Sequence, residues 1–396
     1  MYTFESIAKV RFSHFQEKMR NAGLHIAVIT KPVNFFHFSL FSPRIYSMPS
    51  CVIIPAEGIP TILVQAVRGP KAMREVPYGR VLCYGCWSDN CSIASDLFDA
   101  IEMIVRDYHF EKPNVGTELS FLSSNSYFTL LRKLNLESMS DISEMIRRER
   151  LIKDELALDR IRMAADLCVQ SMTAQIASLR SGDTERTACT KAMNTVMRMA
   201  EEKYPDMEMS GFGTDEESIT YSFSFSCSSG VRSSFGSTQA ISQRPAEGDF
   251  VLPCTTVRLG GYAAECERSL YCRSLTPSRE KIFRTVLEAQ QQVLEMVKPG
   301  NTFASLYFTA QSVFKKNGLS EYMAGRIGHG MGLGNHEKPS VDAAATEPML
   351  PGMVFTVEPS IMSSHFGGVR PSDTVIVTES GYELLTPAEN GFLRID

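Results

Sequence analysis

The 396-residue sequence has no apolar run approaching the roughly 18 to 20 residues that cross a bilayer. It has no leader-like start either: residues 1–15 mix polar and apolar side chains without a continuous apolar core. Positive charge is not in excess, since 40 Lys and Arg stand against 45 Asp and Glu for a formal net charge of −5. The basic face that nucleic acid or an anionic membrane would require is therefore missing. There is no disulfide or zinc framework. The 10 cysteines are scattered, and Cys83-x-x-Cys86, with Cys91 nearby, is followed by no second pair and no histidine pair at zinc spacing. Repeats and low-complexity tracts are also absent. These gaps exclude membrane-spanning, nucleic-acid-binding and disulfide-stapled classes, and they imply a cytoplasmic protein with reduced thiols.

What is present is the composition of a globular enzyme, 43% hydrophobic and 21% charged. The length favours two domains. Residues 1–145 alternate helical and strand-like patterns and predict a small α/β domain. Its strands are expected over 25–30, 35–40, 51–55 and 61–65, the last two forming a hairpin around Glu57-Gly58. A charged stretch follows, and residues 155–396 predict a second domain. It opens with helices over 155–168 and 185–202, the latter started by Asp183 or Thr184. Strands around Gly260-Gly261, two more helices and a strand-rich end complete it.

Polar residues inside apolar strands carry the functional signal, because a buried charge is costly unless paired or used. In Glu265-Cys266-Glu267-Arg268, strand alternation places the two glutamates on one face and Cys266 and Arg268 on the other. Two neighbouring carboxylates call for a cation between them or a raised pKa. The glycine-rich run Gly328 to Pro339 carries His329 and His336, side chains able to ligate a metal or move a proton. Glu358 stands in the apolar segment Phe355-Thr356-Val357-Glu358-Pro359, and Gly368-Val369-Arg370-Pro371-Ser372-Asp373 follows it.

The order of these segments resembles the C-terminal signature of the pita-bread hydrolases, the creatinase, aminopeptidase P and prolidase family. Arg147 to Glu155 is similar to the charged lead into that family's second domain. The resemblance implies a small N-terminal α/β domain and a C-terminal pita-bread domain with pseudo-twofold α/β symmetry, in a homodimer. Metal-dependent members hold two divalent ions with two Asp, one His and two Glu. The matching positions here are Cys254, Glu265, His329, Glu358 and Ser372, so His329 and Glu358 alone keep the family's residue. A single soft site built from Cys254, Glu265 and His329 is one way such a set could hold an ion.

Glu267 stands before the arginine of the family's R[TS]L motif, as in the metal-independent creatinase branch. That resemblance implies that Glu267 and Glu358 grip a guanidinium or amidine. Arg44, Glu265, Arg268, Ser237 and Ser372 are the further substrate-binding candidates, with Arg44 reaching into a partner's site. Ser237 lies where the branch carries its histidine, and no histidine occurs between His109 and His329. His329, His336, a raised glutamate or a Cys254 nucleophile remain as groups to activate the attack. The resulting expectation is a cofactor-free, creatinase-like hydrolase of a C–N bond in a small polar metabolite, such as creatine, a guanidino acid or a cyclic amidine like ectoine. The alternatives are an Xaa-Pro-type dipeptidase with a remodelled metal site and a catalytically inactive binding module.

Overall fold

The computed structural model describes residues 2–42, 49–87, 92–209, 211–212, 223–236 and 238–396. The chain divides into two compact units, one made chiefly of Met1–Leu151 and the other of Ile152–Gly211 and Glu216–Asp396.

The first unit is a six-stranded mixed sheet. Its strands are β1 (Ile26–Ile29), β2 (Cys51–Pro55), β3 (Thr61–Gln65), β4 (Arg80–Tyr84), β5 (Val115–Thr117) and β6 (Ser140–Asp141), in the order β4-β3-β2-β1-β5-β6. The pair β2–β3 is the antiparallel hairpin expected around Gly58. Helix Phe4–Asn21 starts at Thr3, whose hydroxyl accepts from the Ser6 N–H. Its Phe12, Phe15 and Met19 are buried against one side of the sheet core.

One expected strand of this unit is a helix. Residues 35–39 fall within helix Pro32–Ser39, in which nearly every side chain is buried, and Leu40 is its cap. Pro32 at its first turn has no N–H to lose, and Leu40 ends it in a left-handed conformation. A short apolar run buried on all sides has no periodicity to separate helix from strand.

The second unit has the same order twice: two helices, then antiparallel strands. Helices Glu155–Arg180 and Glu185–Lys203 precede β7 (Phe223–Ser229), β8 (Phe250–Leu259), β9 (Tyr262–Glu267) and β10 (Leu270–Cys272). Asp154 and Thr184 cap the two helices. Helices Pro277–Glu295 and Phe303–Lys316 precede β11 (Arg326–Gly330), β12 (Glu337–Asp342), β13 (Val354–Val357), β14 (Ile361–Ser363), β15 (Gly367–Val369) and β16 (Ser372–Val377), with β17 (Tyr382–Leu384) and β18 (Leu393–Ile395) closing the chain. This repeated helix–helix–strands arrangement is the pita-bread architecture the resemblance implied.

The sheet runs β12-β11-β13-β16-β9-β8-β10-β18, with β17 beside β16 and β7 beside β8. Five neighbouring strands, β11, β13, β16, β9 and β8, therefore carry or adjoin the segments that hold Cys254, Glu265, Glu267, His329, Glu358 and Ser372. The turn between β8 and β9 is Gly260-Gly261, both at positive φ (55° and 89°), which glycine adopts without strain. Gly328 is needed for another reason: a Cβ there would run into the Thr356 carbonyl on the neighbouring strand.

No helix among the described residues is long and apolar enough to cross a membrane.

Candidate functional site

Alternation along β9 turns Glu265 and Glu267 to the same face of the sheet. Each then meets neighbours from adjoining strands. Glu265 pairs in register with Thr256 on β8, and Glu267 with Cys254. On the other side Glu267 pairs with Ser372 of β16. His329 lies on β11, and Glu358 directly follows β13. All of these side chains except Ser372 line one cavity of about 330 Å³ within the second unit, together with His336, Asn335, Arg326 and Arg370. A hydroxyl stripe, Ser224, Ser226 and Ser228 from β7, beside β8, also lines it.

Two sub-clusters divide the site. In the first, His329 Nε2 lies 3.6 Å from Glu358 Oε1 and 3.9 Å from Glu265 Oε1. The ligand atoms of Glu265, His329 and Glu358 all lie within 4.8 Å of one another. Burial lowers the His329 pKa, leaving the imidazole neutral. With Nδ1 set 3.3 Å from the Gly330 carbonyl, the tautomer protonated there leaves an Nε2 lone pair for the carboxylates' side. Burial, then the charges of Glu358 and Glu267, push Glu265 up to about 8. Ser372 Oγ donates to Glu265 Oε1 at 3.3 Å.

In the second sub-cluster, Arg370 grips Glu267 with two hydrogen bonds, Nε to Oε2 at 2.6 Å and Nη2 to Oε1 at 2.8 Å. The Glu267 carboxylate pushes the Arg370 guanidinium well above its ordinary range, so the arginine stays charged.

Among the described residues, one group of side chains has the donor set for an ion. An imidazole and two carboxylates are ordinary ligands for a divalent cation. At the neighbouring positions Cys254 and Ser372 supply no hard anionic oxygen. Cys254 also stands outside the cluster formed among the described residues, so the soft site imagined from Cys254, Glu265 and His329 gives way to Glu265, His329 and Glu358. Nor is Cys254 an activated nucleophile. Burial, then Glu267 and Glu265, hold its thiol well above the usual thiol range. Alkylation at pH 8 is therefore expected to modify the exposed Cys86 first and to leave Cys254 intact. Mass spectrometry that found Cys254 labelled as fast as Cys86 would contradict this account.

Arg268 is not a substrate ligand. It is 1% exposed, on the opposite face of β9. It donates to the carbonyls of Glu267, Ser372, Thr386, Ala388 and Glu389 and to Asp373 Oδ1. Strand alternation had already set it on the face away from Glu265 and Glu267. Arg44, Ser237 and Cys91 lie outside the described residues.

Sequence reasoning passed over three supports. Arg370 was quoted within its motif without a role; an arginine two residues before a ligand position was the available signal. Arg258 is buried and donates to the Gly261 carbonyl at 2.7 Å, to Asn335 Oδ1 at 2.7 Å and to the Leu333 carbonyl, tying down the loop that carries His336. Glu337 takes the Gly334 N–H at 2.7 Å and pairs with buried Lys153 at 3.2 Å. These set the His336 ring at 4.2 Å and 84° to that of His329. Burial, then His329, bring the His336 pKa down to about 4.

The family model described as Metallopeptidase family M24 matches residues 159–379, and that described as Creatinase/Prolidase N-terminal domain matches residues 11–152. A curated relative, the Xaa-Pro dipeptidase of Pyrococcus furiosus, is 27% identical over 385 residues, covering 97% of this chain and 100% of the relative. Among solved structures, the Xaa-Pro dipeptidase from Bacillus anthracis superposes with a TM-score of 0.84 at 21% identity, covering 98% of this chain and 100% of that one. The prolidase from Pyrococcus furiosus gives 0.78 at 26% identity, covering 94% and 99%.

These similarities overturn the expectation of a metal-independent, creatinase-like hydrolase of amidine C–N bonds. The three similar proteins named above are Xaa-Pro dipeptidases or prolidases, and the matching model is of metallopeptidases. The site agrees on physical grounds. Glu267 was expected to hold a substrate guanidinium, but the protein's own Arg370 already fills both of its oxygens.

Proposed function

This chain belongs to metallopeptidase family M24, and on that premise we propose that it is an Xaa-Pro-type dipeptidase with a remodelled metal site. The observation that carries the reading is the convergence of Glu265, His329 and Glu358 within 4.8 Å. These residues would hold the metal, and a divalent ion there supplies Lewis-acid polarisation of a scissile carbonyl.

The chain's other residues shape the rest of the reaction. His336 is neutral above about pH 4, so its ring offers one N–H to a substrate carbonyl and one lone pair to a proton. Arg326 opens β11 at the exposed edge of the cavity, where its guanidinium suits a substrate carboxylate. A free dipeptide brings that carboxylate within reach of the reacting bond. Asn335, held by Arg258, adds an amide to the same wall. The about 330 Å³ of space suits a dipeptide better than a long peptide. The reading includes a cytoplasmic homodimer, carried by the family resemblance.

The test is direct. Purified protein incubated with Ala-Pro and Leu-Pro is expected to release the free amino acids. EDTA should stop the reaction, and added Zn²⁺, Mn²⁺ or Co²⁺ should restore it. No cleavage with any of these ions would refute the peptidase reading. Dipeptide binding without cleavage would instead favour the inactive binding module, which the replacements at Cys254 and Ser372 suggest.

A further inference from the structure

We infer that this site binds one divalent cation, not two, and that the Glu267–Arg370 pair fills the half a second ion would need. The inference rests on the metal-dependent reading above and deepens it.

The three strands β8, β9 and β16 place Cys254, Glu267 and Ser372 side by side, with Glu267 in the middle. Both flanking side chains are uncharged, and Glu267 is the single carboxylate of the row. It is 2% exposed and gives both oxygens to Arg370, at 2.6 and 2.8 Å. A carboxylate already held by a bidentate guanidinium has little charge left for a metal. A dication beside that guanidinium would also meet its positive charge at close range.

Charge balance leads to the same count. The site holds the buried carboxylates of Glu265, Glu267 and Glu358 and the half-buried guanidinium of Arg370. With all three carboxylates ionised, the form in which they would ligate a cation, three negative charges and one positive leave a net charge of minus two, which one divalent ion neutralises. A second ion would leave two uncompensated positive charges in a buried site, an arrangement whose desolvation cost nothing repays. Arg326, at the exposed edge, is screened by solvent and does not change this balance. The single ion belongs with Glu265, His329 and Glu358, whose ligand atoms cluster while the thiol of Cys254 stays outside.

Glu267 thus stands between two vacated ligand positions and serves a different purpose. It fixes Arg370 as a permanent cation on the cavity wall, where a second metal ion would otherwise supply the charge. Such a cation can be neither exchanged nor chelated away.

The experiment is metal counting on the full-length protein. The protein is saturated with Zn²⁺ or Mn²⁺ and desalted, its metal content is measured by elemental analysis, and binding is titrated calorimetrically. The expected result is one ion per chain. E358Q should bind that ion at least ~100-fold more weakly. The combined variant C254D/E267T/S372E, which returns carboxylates to the flanking positions and removes the middle one together with its pairing to Arg370, should bind two. Two ions in the unaltered protein, or none, would overturn the inference; so would a folded triple variant, judged by circular dichroism, that still binds one. One ion without dipeptide cleavage defeats the peptidase reading but not this one. Cleavage with two ions does the reverse.

Discussion

Replacing Glu358 by glutamine is expected to lower kcat/KM for a dipeptide by about 10³-fold or more, a loss on the order of 4 kcal/mol of transition-state stabilisation. The substitution keeps the shape and turns one of the two carboxyl groups facing His329 Nε2, the one 3.6 Å away, into an uncharged amide. With that carboxylate gone, Glu265 is the one carboxyl group left to the cluster among the described residues, because Glu267 is held by Arg370. The neighbourhood of Glu265 changes too, since Glu358 is among the charges pushing its pKa up to about 8. Glu358 follows β13, and its N–H bonds the Ile327 carbonyl, so the backbone is fixed independently of the carboxylate. The fold should survive, and thermal melts of the metal-free proteins should coincide. Activity within tenfold of the unaltered enzyme at saturating metal would show that the ion does not depend on this residue.

Replacing Arg268 by alanine is expected to act on stability, by about 3–5 kcal/mol. The side chain is 1% exposed and pairs with Asp373 at 2.8 Å, itself 2% exposed. Its remaining donors satisfy carbonyls from the β9, β16 and 386–389 segments. Alanine would leave the buried Asp373 carboxylate with Gln290 and Thr386 as its hydrogen-bond donors and no cation. Unpaired buried charge, and not the loss of a few contacts, sets the size of the effect. For a unit of this size it corresponds to a fall in melting temperature of roughly 6–20 °C. Lysine at 268 should recover part of the loss, because it restores the charge but not the planar fork of donors. A loss below ~1 kcal/mol in denaturant titrations would mean that the carbonyls find other partners.

Much of this molecule was legible from its sequence because the information was local. Caps such as Thr3, Asp154 and Thr184 sit beside the helices they start, and the hairpin turn at Gly58 lies between the strands it joins. Motif order identified the architecture, and the alternation Glu265-Cys266-Glu267-Arg268 correctly separated the face of the glutamates from that of Arg268. Helix Pro32–Ser39 was missed because its local pattern is ambiguous: a run buried on every side has no polar face to set a period.

The partners of the charged residues were decided only by tertiary structure. Cys254, Glu267 and Ser372 are far apart in the chain and become neighbours through the register of three strands. Spacing along the sequence does not show that Glu267 is already claimed by Arg370, so a free carboxylate pair for a cationic substrate was a natural but mistaken reading. The missing metal ligands, apparent from the residue types alone, did mark the site as altered. The sequence by itself determined the family, the order of elements and which ligands had changed, since these depend on residue identity and short-range pattern. The fold determined which charges remain free for a metal, because electrostatic pairing depends on distances across the sheet that no linear spacing encodes.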